Sequence, residues 1–395
     1  MTVTTGVVLA AGEGTRLRPL TRNRPKPMLP AANRPILEYV LDALLDAGVE
    51  ELVVVVGYRR DRVQEHFGST YRDAPVTYVR QEKQLGSGHA LLQAREAVDG
   101  DFVAVNGDRV VDPDTVAATL DAFDGSEPVM AVRDHPNAAQ YGAVRLDGDR
   151  VTDLVEKPTA DEYRLINAGV YALTSDCFDR LVATPRRDGS LILTDALLPL
   201  VEEGSVRAVH TDGLWVDATY PWDLLEAARR LLDEGWVTET QRSPGVHVHR
   251  SATVHEDATL QGPVVVGPDA EIAASAVVGP DAALGRNVTV GANATVERSV
   301  VDADTRVCAA SVIRDCVTGS GVVVGPGATV PGGPADVRVG DRVFPDERLG
   351  AVLADRAELG GGATCEPGTL VGVNARVGPG AFARDRVPED GEVVR

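Results

Sequence analysis

Lysine is nearly missing from this chain of 395 residues: 36 of its basic residues are arginine and only Lys26, Lys83 and Lys157 are lysine. Positive charge is scarce as a whole, with a formal net charge of −20 and a sequence pI near 4.8. Nucleic acid and anionic membranes need a positive footprint, so neither is expected as a partner. An acid-rich, lysine-poor composition fits a salt-adapted cytoplasmic protein, and it fits a G+C-rich genome, which favours arginine, equally well. The four cysteines, Cys177, Cys308, Cys316 and Cys365, lack CxxC spacing and a disulfide-rich setting, and read as small apolar fillers. Long hydrophobic runs are absent too. Residues 7–11 are apolar but too few to span a bilayer, and they lack the basic flank and cleavage site of a signal peptide. The expected location is the cytoplasm.

What the chain does have is a dense composite motif over residues 9–30, LAAGEGTRLRPLTRNRPKPMLP. It follows directly on a short run fit for a buried strand. Gly12 and Gly14 allow close backbone approach and φ > 0, so successive N–H groups can point at an anion. Arg16, Arg18, Arg22, Arg24 and Lys26 add positive charge beside them, and together they suit a polyphosphate. A dinucleotide fingerprint needs a third glycine where Leu17 stands, and a Walker loop needs Gly-Lys-Ser/Thr at its end, so neither applies. Because ammonium and guanidinium are not interchangeable, the rare Lys26 and Lys157 gain weight as phosphate ligands.

The pattern Gly-x-Gly-Thr-Arg, then Pro19-Leu20-Thr21, then Pro25-Lys26-Pro27-Met28 resembles the signature of the sugar-1-phosphate nucleotidylyltransferases. That resemblance implies a Rossmann-like mixed α/β domain of the GT-A-like kind, with Leu9, Ala11, Gly12, Gly14 and Thr15 around the nucleotide and Arg16 and Lys26 as the catalytic cations. Alternating strand-like and helix-like runs over residues 1–225 independently argue for an α/β sheet with covering helices. Residues 102–105 run into Asn106-Gly107-Asp108, and ligands of open α/β sheets gather at strand carboxyl ends. Asp108 is therefore placed to hold Mg²⁺, since polyphosphate chemistry needs a hard cation on one or two carboxylates. Residues 81–90, QEKQLGSGHA, are similar to the family's base-reading loop, with Gln81 and Gly86 as readers of a pyrimidine; an amide offers donor and acceptor together. His89 reads as the start of the next helix. Gly142, Glu156 with Lys157, and Asn167 resemble the sugar-side motifs, Lys157 meeting the sugar phosphate. Leu193-Thr194-Asp195 reads as an N-cap ahead of a helix. Trp215-Val216-Asp217 supplies the second metal carboxylate, Asp217. The base loop is closest to the N-acetylglucosamine-1-phosphate uridylyltransferase branch and residues 216–227 to the glucose-1-phosphate thymidylyltransferase branch, so UTP and dTTP both remain open.

An amphipathic helix and linker occupy residues 226–245, and a repeat of six fills residues 246–395. From Ala252 the third position of each hexad is Val254, Leu260, Val266, Ile272, Val278, Leu284, Val290 and Val296, and the last is usually Asp, Asn or Ser. A six-residue period marks a parallel β-helix; it resembles the left-handed hexapeptide-repeat fold, whose members usually form trimers. The frame slips by one to Val301, Val307 and Ile313, breaks over residues 331–350, and resumes at Leu353. The break reads as an inserted loop or arm. Some family members carry on this helix an acetyltransferase with a histidine base. Here the seven histidines end at His255, so a trimerisation scaffold is expected rather than a second enzyme. On that view a chain cut after Gly245 keeps some nucleotidyl transfer. The rival of another class is a non-catalytic sugar-nucleotide sensor, against which the set Arg16, Lys26, Asp108 and Asp217 argues.

Overall fold

Val7 and Val8 are adjacent in sequence yet belong to hydrophobic cores on opposite sides of one sheet. The same alternation divides Leu52, Val54 and Val56 from Val53 and Val55, and Val103 and Val105 from Phe102 and Ala104. Successive strand residues point to opposite faces, so a continuous apolar run is the mark of a strand covered by helices on both sides. The computed structural model describes residues 3–159 and 162–394. It divides into two compact units. One comprises Met1–Glu13, Pro25–Met28 and Ile36–Asp217, and the other Gly14–Arg24, Leu29–Pro35 and Ala218–Arg395.

The first unit is built on a ten-stranded mixed sheet. Its parallel part is built around strand Thr5–Ala10, parallel to Glu51–Val56 on one side and to Phe102–Asn106 on the other. Ala74–Arg80 extends the parallel set beyond Glu51–Val56. In register, Leu9 meets both Val55 and Asn106, and Val56 meets Arg80. The residues after these strands, Ala11, Gly57, Gln81 and Gly107, therefore leave the sheet at one edge. Leu165–Leu173 runs antiparallel to Phe102–Asn106 and starts the mixed half of the sheet. Helix Ile36–Asp46 buries Leu37, Val40, Leu41 and Leu44 and is followed by Gly48 at φ +91°, the left-handed conformation that ends a helix. Leu193–Glu202 is helical from Leu193 onward, with Ile192 at the cap position and Asp195 in the first turn. The expected cap is thus already inside the helix. Asp195 there complements the macrodipole rather than closing the end. All four cysteines are free thiols; burial pushes Cys177 and Cys365 up to about 12. No helix among the described residues is long and apolar enough to cross a membrane.

In the second unit the hexads form three parallel sheets, the walls of a β-helix. Val254 pairs with Ile272, Leu260 with Val278 and Val266 with Leu284, one full coil apart. Val266, Ile272, Val278, Leu284, Val290 and Val296 are buried in one shared core. From Ala283 with Val300 to Val312 with Thr329 the coil is one residue shorter, which is the physical content of the slipped frame; beyond the hairpin, Ala351 with Thr369, it returns to its first length. The last hexad position sits at a corner. Asp269, Ser275, Asp281, Asn287 and Asn293 all have φ between 54° and 58°, where Asn and Asp are tolerated best among residues with a side chain. The break in the repeat is a hairpin, Pro334–Val339 with Arg342–Arg348, closed by Gly340 and Asp341. Buried Asp315 fastens its base by accepting from Gly333 N at 2.8 Å and Arg298 Nε at 2.7 Å. Coil pairing resumes directly between Val317 and Val352.

The corner conformation makes a clean test possible. Asn293→Gly leaves stability unchanged or higher, whereas Asn293→Val, forced to φ > 0, loses about 1–2 kcal/mol. Chemical denaturation of the two variants reads the difference, and equal midpoints would mean the corners do not demand left-handed backbone.

Candidate active site

Lys26 opens a short turn, Lys26–Met28, between Pro25 and Pro27, and is only 7% exposed. Its Nζ donates to Asp108 Oδ2 at 2.8 Å and to Asp217 Oδ1 at 3.1 Å. Two local features bring those carboxylates together. Gly107 lets the turn after Phe102–Asn106 lie on the central strand, donating to Leu9 O at 3.0 Å; a Cβ there would stand 2.8 Å from Val8 Cγ1. The short strand Trp215–Asp217 then pairs antiparallel with Arg109–Val111, setting Asp217 opposite Arg109 and so beside Asp108. Asp217 is buried and Asp108 is open to solvent, with side chains 6% and 39% exposed. Burial by itself would lower the Lys26 pKa; Asp108 and Asp217 more than offset this and hold it above 10.5.

Arg109 is the functional candidate that the sequence reading passed over. The only signal was its position directly after Asp108, in a chain full of arginine. Its guanidinium lies 5.4 Å from the Trp215 ring and 5.9 Å from Tyr141, and Nη1 donates to Asn167 O at 3.4 Å. Its Nε is buried without a partner. Burial opposes its charge, but Asp217 and Asp108 raise its pKa above the ordinary value. Two cations, Lys26 buried and Arg109 partly so, thus face two carboxylates.

On the base side, Gln81 is buried and its Nε2 donates to Gly86 O at 3.1 Å and to His89 Nδ1 at 2.9 Å. His89 stands in the first turn of helix Ser87–Gln93, as expected; burial and then Arg186 lower its pKa, favouring the neutral ring that accepts from Gln81. Gly86, at φ +101°, lies so close to Leu191 that a Cβ would come within 2.3 Å of its carbonyl oxygen. Gln84 Nε2 donates to Ala11 O at 2.9 Å, joining this loop to the end of the first strand. Gly12 is exposed, and a Cβ on it would meet nothing within 4 Å.

On the other side, Gly142 and Glu156 are paired in register, and a Cβ on Gly142 would lie 3.2 Å from Glu156 Oε2 and 3.6 Å from Asn167 Cβ. Asn167 is buried and already committed: Oδ1 accepts from Gly169 N at 2.9 Å and Nδ2 donates to Tyr171 at 2.5 Å. Lys157 is exposed, at φ 48°, its N–H on Tyr141 O. Gly14, Thr15 and Arg16 belong to the second unit. Gly14 has φ 66° and its carbonyl accepts from Thr21 Oγ1 at 2.8 Å.

Parallel strands whose carboxyl ends carry a lysine held by two carboxylates, beside loops rich in glycine, define an α/β protein with its ligand crevice at that edge of the sheet. The comparisons narrow that class. The profile of the nucleotidyl transferase family matches residues 5–234, and that of the GMPPB C-terminal domain matches residues 260–348. The bifunctional protein GlmU of Methanococcus maripaludis is 30% identical over 394 residues, 94% of this chain and 92% of that protein. The UTP–glucose-1-phosphate uridylyltransferase AglF of Haloferax volcanii is 36% identical over 234 residues, 58% of this chain and 96% of AglF. A UTP-bound UGPase structure from Acinetobacter baumannii aligns with TM-score 0.52 and 25% identity, covering 57% of this chain and 92% of that one. The chain belongs to the nucleotidyl transferase family.

The charge cluster carries a pH signature. A raised lysine pKa means the ammonium stabilises the fold fully below 10.5, and the contribution is lost as pH rises through the higher folded value. Lys26→Met leaves two carboxylates without their cation and is expected to cost about 3–5 kcal/mol. Urea melts should show that gap constant between neutral pH and mild alkali and closing only in strong alkali; a gap that closes near neutrality would mean Lys26 is not held as described.

Proposed function

We propose that the chain is a sugar-1-phosphate nucleotidylyltransferase, making a UDP- or dTDP-sugar and pyrophosphate from a pyrimidine nucleoside triphosphate and glucose-1-phosphate or N-acetylglucosamine-1-phosphate. The observation that carries this reading is the Lys26 ammonium between Asp108 and Asp217. Similarity to GlmU and AglF supports it, and the likeness to AglF, named for UTP, favours a uridine nucleotide. We assign nucleotidyl transfer to residues 1–225, the link to 226–245, where helix Pro221–Asp233 ends and strand Thr240–Ser243 already joins a β-helix sheet, and the β-helix, left-handed and trimer-forming, to 246–395. The reaction belongs in the cytoplasm, in high salt.

A non-bridging oxygen of the sugar phosphate attacks the α-phosphorus in line. The bond from that phosphorus to the oxygen bridging the β-phosphate breaks, and pyrophosphate leaves with the electron pair. No covalent enzyme intermediate forms. Positioning and charge neutralisation carry the rate. Arg16 and Lys26 bind the triphosphate, with Leu9, Ala11, Gly12, Gly14 and Thr15 lining the nucleotide by backbone and side chain. Gln81 and Gly86 read the base, Gly142, Glu156 and Asn167 the sugar, and Lys157 its phosphate. Two carboxylates that converge on one cation are a hard oxygen donor set, and exposed Asp108 leaves room for phosphate ligands, so Asp108 and Asp217 fit Mg²⁺. Bound there, the ion would neutralise phosphate charge.

A pyrophosphate-release assay across nucleotides and sugar phosphates tests the reading, and silence with every pair sinks it. Lys26→Arg should lower turnover roughly 10²-fold, the scale of one preorganised electrostatic group, because a planar fork cannot take a point charge's place between two prolines and two carboxylates. Wild-type turnover in that variant would remove Lys26 from the phosphates. The base site has its own pH limb. Protonated His89 would turn a donor toward the Gln81 amide, so its support is present above the ordinary 6.5 and lost as pH falls through the lowered folded value. KM for the nucleotide should rise on that acid side, and a His89→Gln variant with an unchanged acid limb would exclude His89 as its source.

A second reading is favoured by the full-length likeness to a protein named bifunctional: acetylation of an amino-sugar phosphate on the β-helix. No histidine follows His255 to act as base. Thiol release from acetyl-CoA, dependent on glucosamine-1-phosphate and measured in high salt, would establish that activity.

A further inference from the structure

Residues 14–24 carry Gly14, Thr15 and Arg16, and they belong to the same compact unit as the β-helix. Contacts within that unit hold the segment at both ends. At its carboxyl end Arg24 donates through Nη1 to Asp302 and through Nη2 to Asp355 at 2.6 Å. The side chains of Arg24, Asp302 and Asp355 are 15%, 14% and 9% exposed. Both carboxylates are fixed in advance by the coils: Asp302 Oδ1 accepts from Ala303 N at 2.7 Å, and Asp355 Oδ1 from Ser320 N at 3.0 Å. Burial disfavours the guanidinium charge, and the two aspartates more than offset it. An ion triad of this kind is strongly resistant to losing one member, because the remaining charge is left buried and unpaired.

At the other end the Arg16 guanidinium lies 6.0 Å from the Tyr220 ring centroid, within cation–π range. Tyr220 stacks on Trp222 at 4.9 Å, and Phe344 meets the two rings at 4.5 and 5.2 Å. Asp223 accepts from the N–H groups of Thr219 and Tyr220 at 2.8 and 2.7 Å, fixing the backbone from which Tyr220 projects. Phe344 belongs to the hairpin strand Arg342–Arg348, the insertion that interrupts the repeat. The hairpin is thereby given a task that closing coils does not require: it backs the ring against which Arg16 rests.

We propose that the β-helix and its hairpin set the conformation of the triphosphate loop, with Arg24, Asp302 and Asp355 as its anchor and Tyr220 and Phe344 as the platform for Arg16. They are positioning residues for nucleotide binding, and the inference rests on residues 14–24 being that loop. The C-terminal unit is then a working part of the transferase. A chain cut after Gly245 is then expected to bind its nucleotide more weakly while keeping some transfer, because the cut removes Asp302, Asp355 and Phe344 together.

The test uses the full chain with Asp302→Asn/Asp355→Asn and, separately, Phe344→Ala. Native trypsin reads the loop without any activity assay. It can cut after Arg16 and Arg22, whereas Pro19 and Pro25 protect Arg18 and Arg24. Each variant should be cut at Arg16 or Arg22 about tenfold faster, with other sites unchanged. KM for UTP or dTTP should rise about tenfold while kcat and the sugar-phosphate KM stay within about twofold, the pattern of lost uniform binding, and Phe344→Tyr should restore both readouts. Loop cleavage and nucleotide KM unchanged in both variants, or cleavage hastened equally along the whole chain, would overturn the proposal. A wild-type chain silent in transfer would sink the transferase reading, while cleavage at Arg16 and Arg22 would still decide whether the anchor holds the loop.

Discussion

A lysine ammonium can be buried only where opposite charge meets it, and the first unit is organised so that Asp108 and Asp217 do so. The turn after one parallel strand and the end of a short antiparallel pair are both needed to bring two carboxylates to one nitrogen. Removing Lys26 leaves the Asp217 carboxylate, 6% exposed, without its cation in a poorly solvated place. The same charges respond to a polyphosphate: an incoming anion with its counter-ion redistributes a balance the protein has already set up, with little reorganisation at the moment of reaction.

Around this centre the polar groups are less free than their motifs suggest. Gln81 is tied to Gly86 and His89, Asn167 to Gly169 and Tyr171, and Arg109 rests between Asn167 and two aromatic rings. These bonds fix rotamers before any ligand arrives, at the cost of donors that a ligand would otherwise use. Glycine is used where backbone must pass close: Gly86 against Leu191 and Gly107 against Val8.

The second unit repeats one physical solution many times. Each coil buries an aliphatic on each wall and turns with left-handed residues at its corners, so its stability is the sum of near-identical steps. Where a step departs from the repeat, a polar feature stands: the shortened coils lead to buried Asp315 with Arg298, and the inserted hairpin rises from that aspartate.

The sequence alone determined what depends on local pattern. Apolar runs of strand length, the six-residue period with its slip and its break, and the Asp, Asn or Ser that ends most hexads are all set by neighbours in the chain, and each was legible without coordinates; that this position is a left-handed corner was not. So was the importance of Lys26, because a lysine kept in a chain of arginines stands out. Tertiary structure alone decided which charges share a nitrogen, a ring or a buried pocket. Arg109 and Arg24 look like any other arginine in the sequence. Their partners come from strand register in one case and from coils hundreds of residues away in the other, and burial and pairing across such separations leave no periodicity in the chain to read.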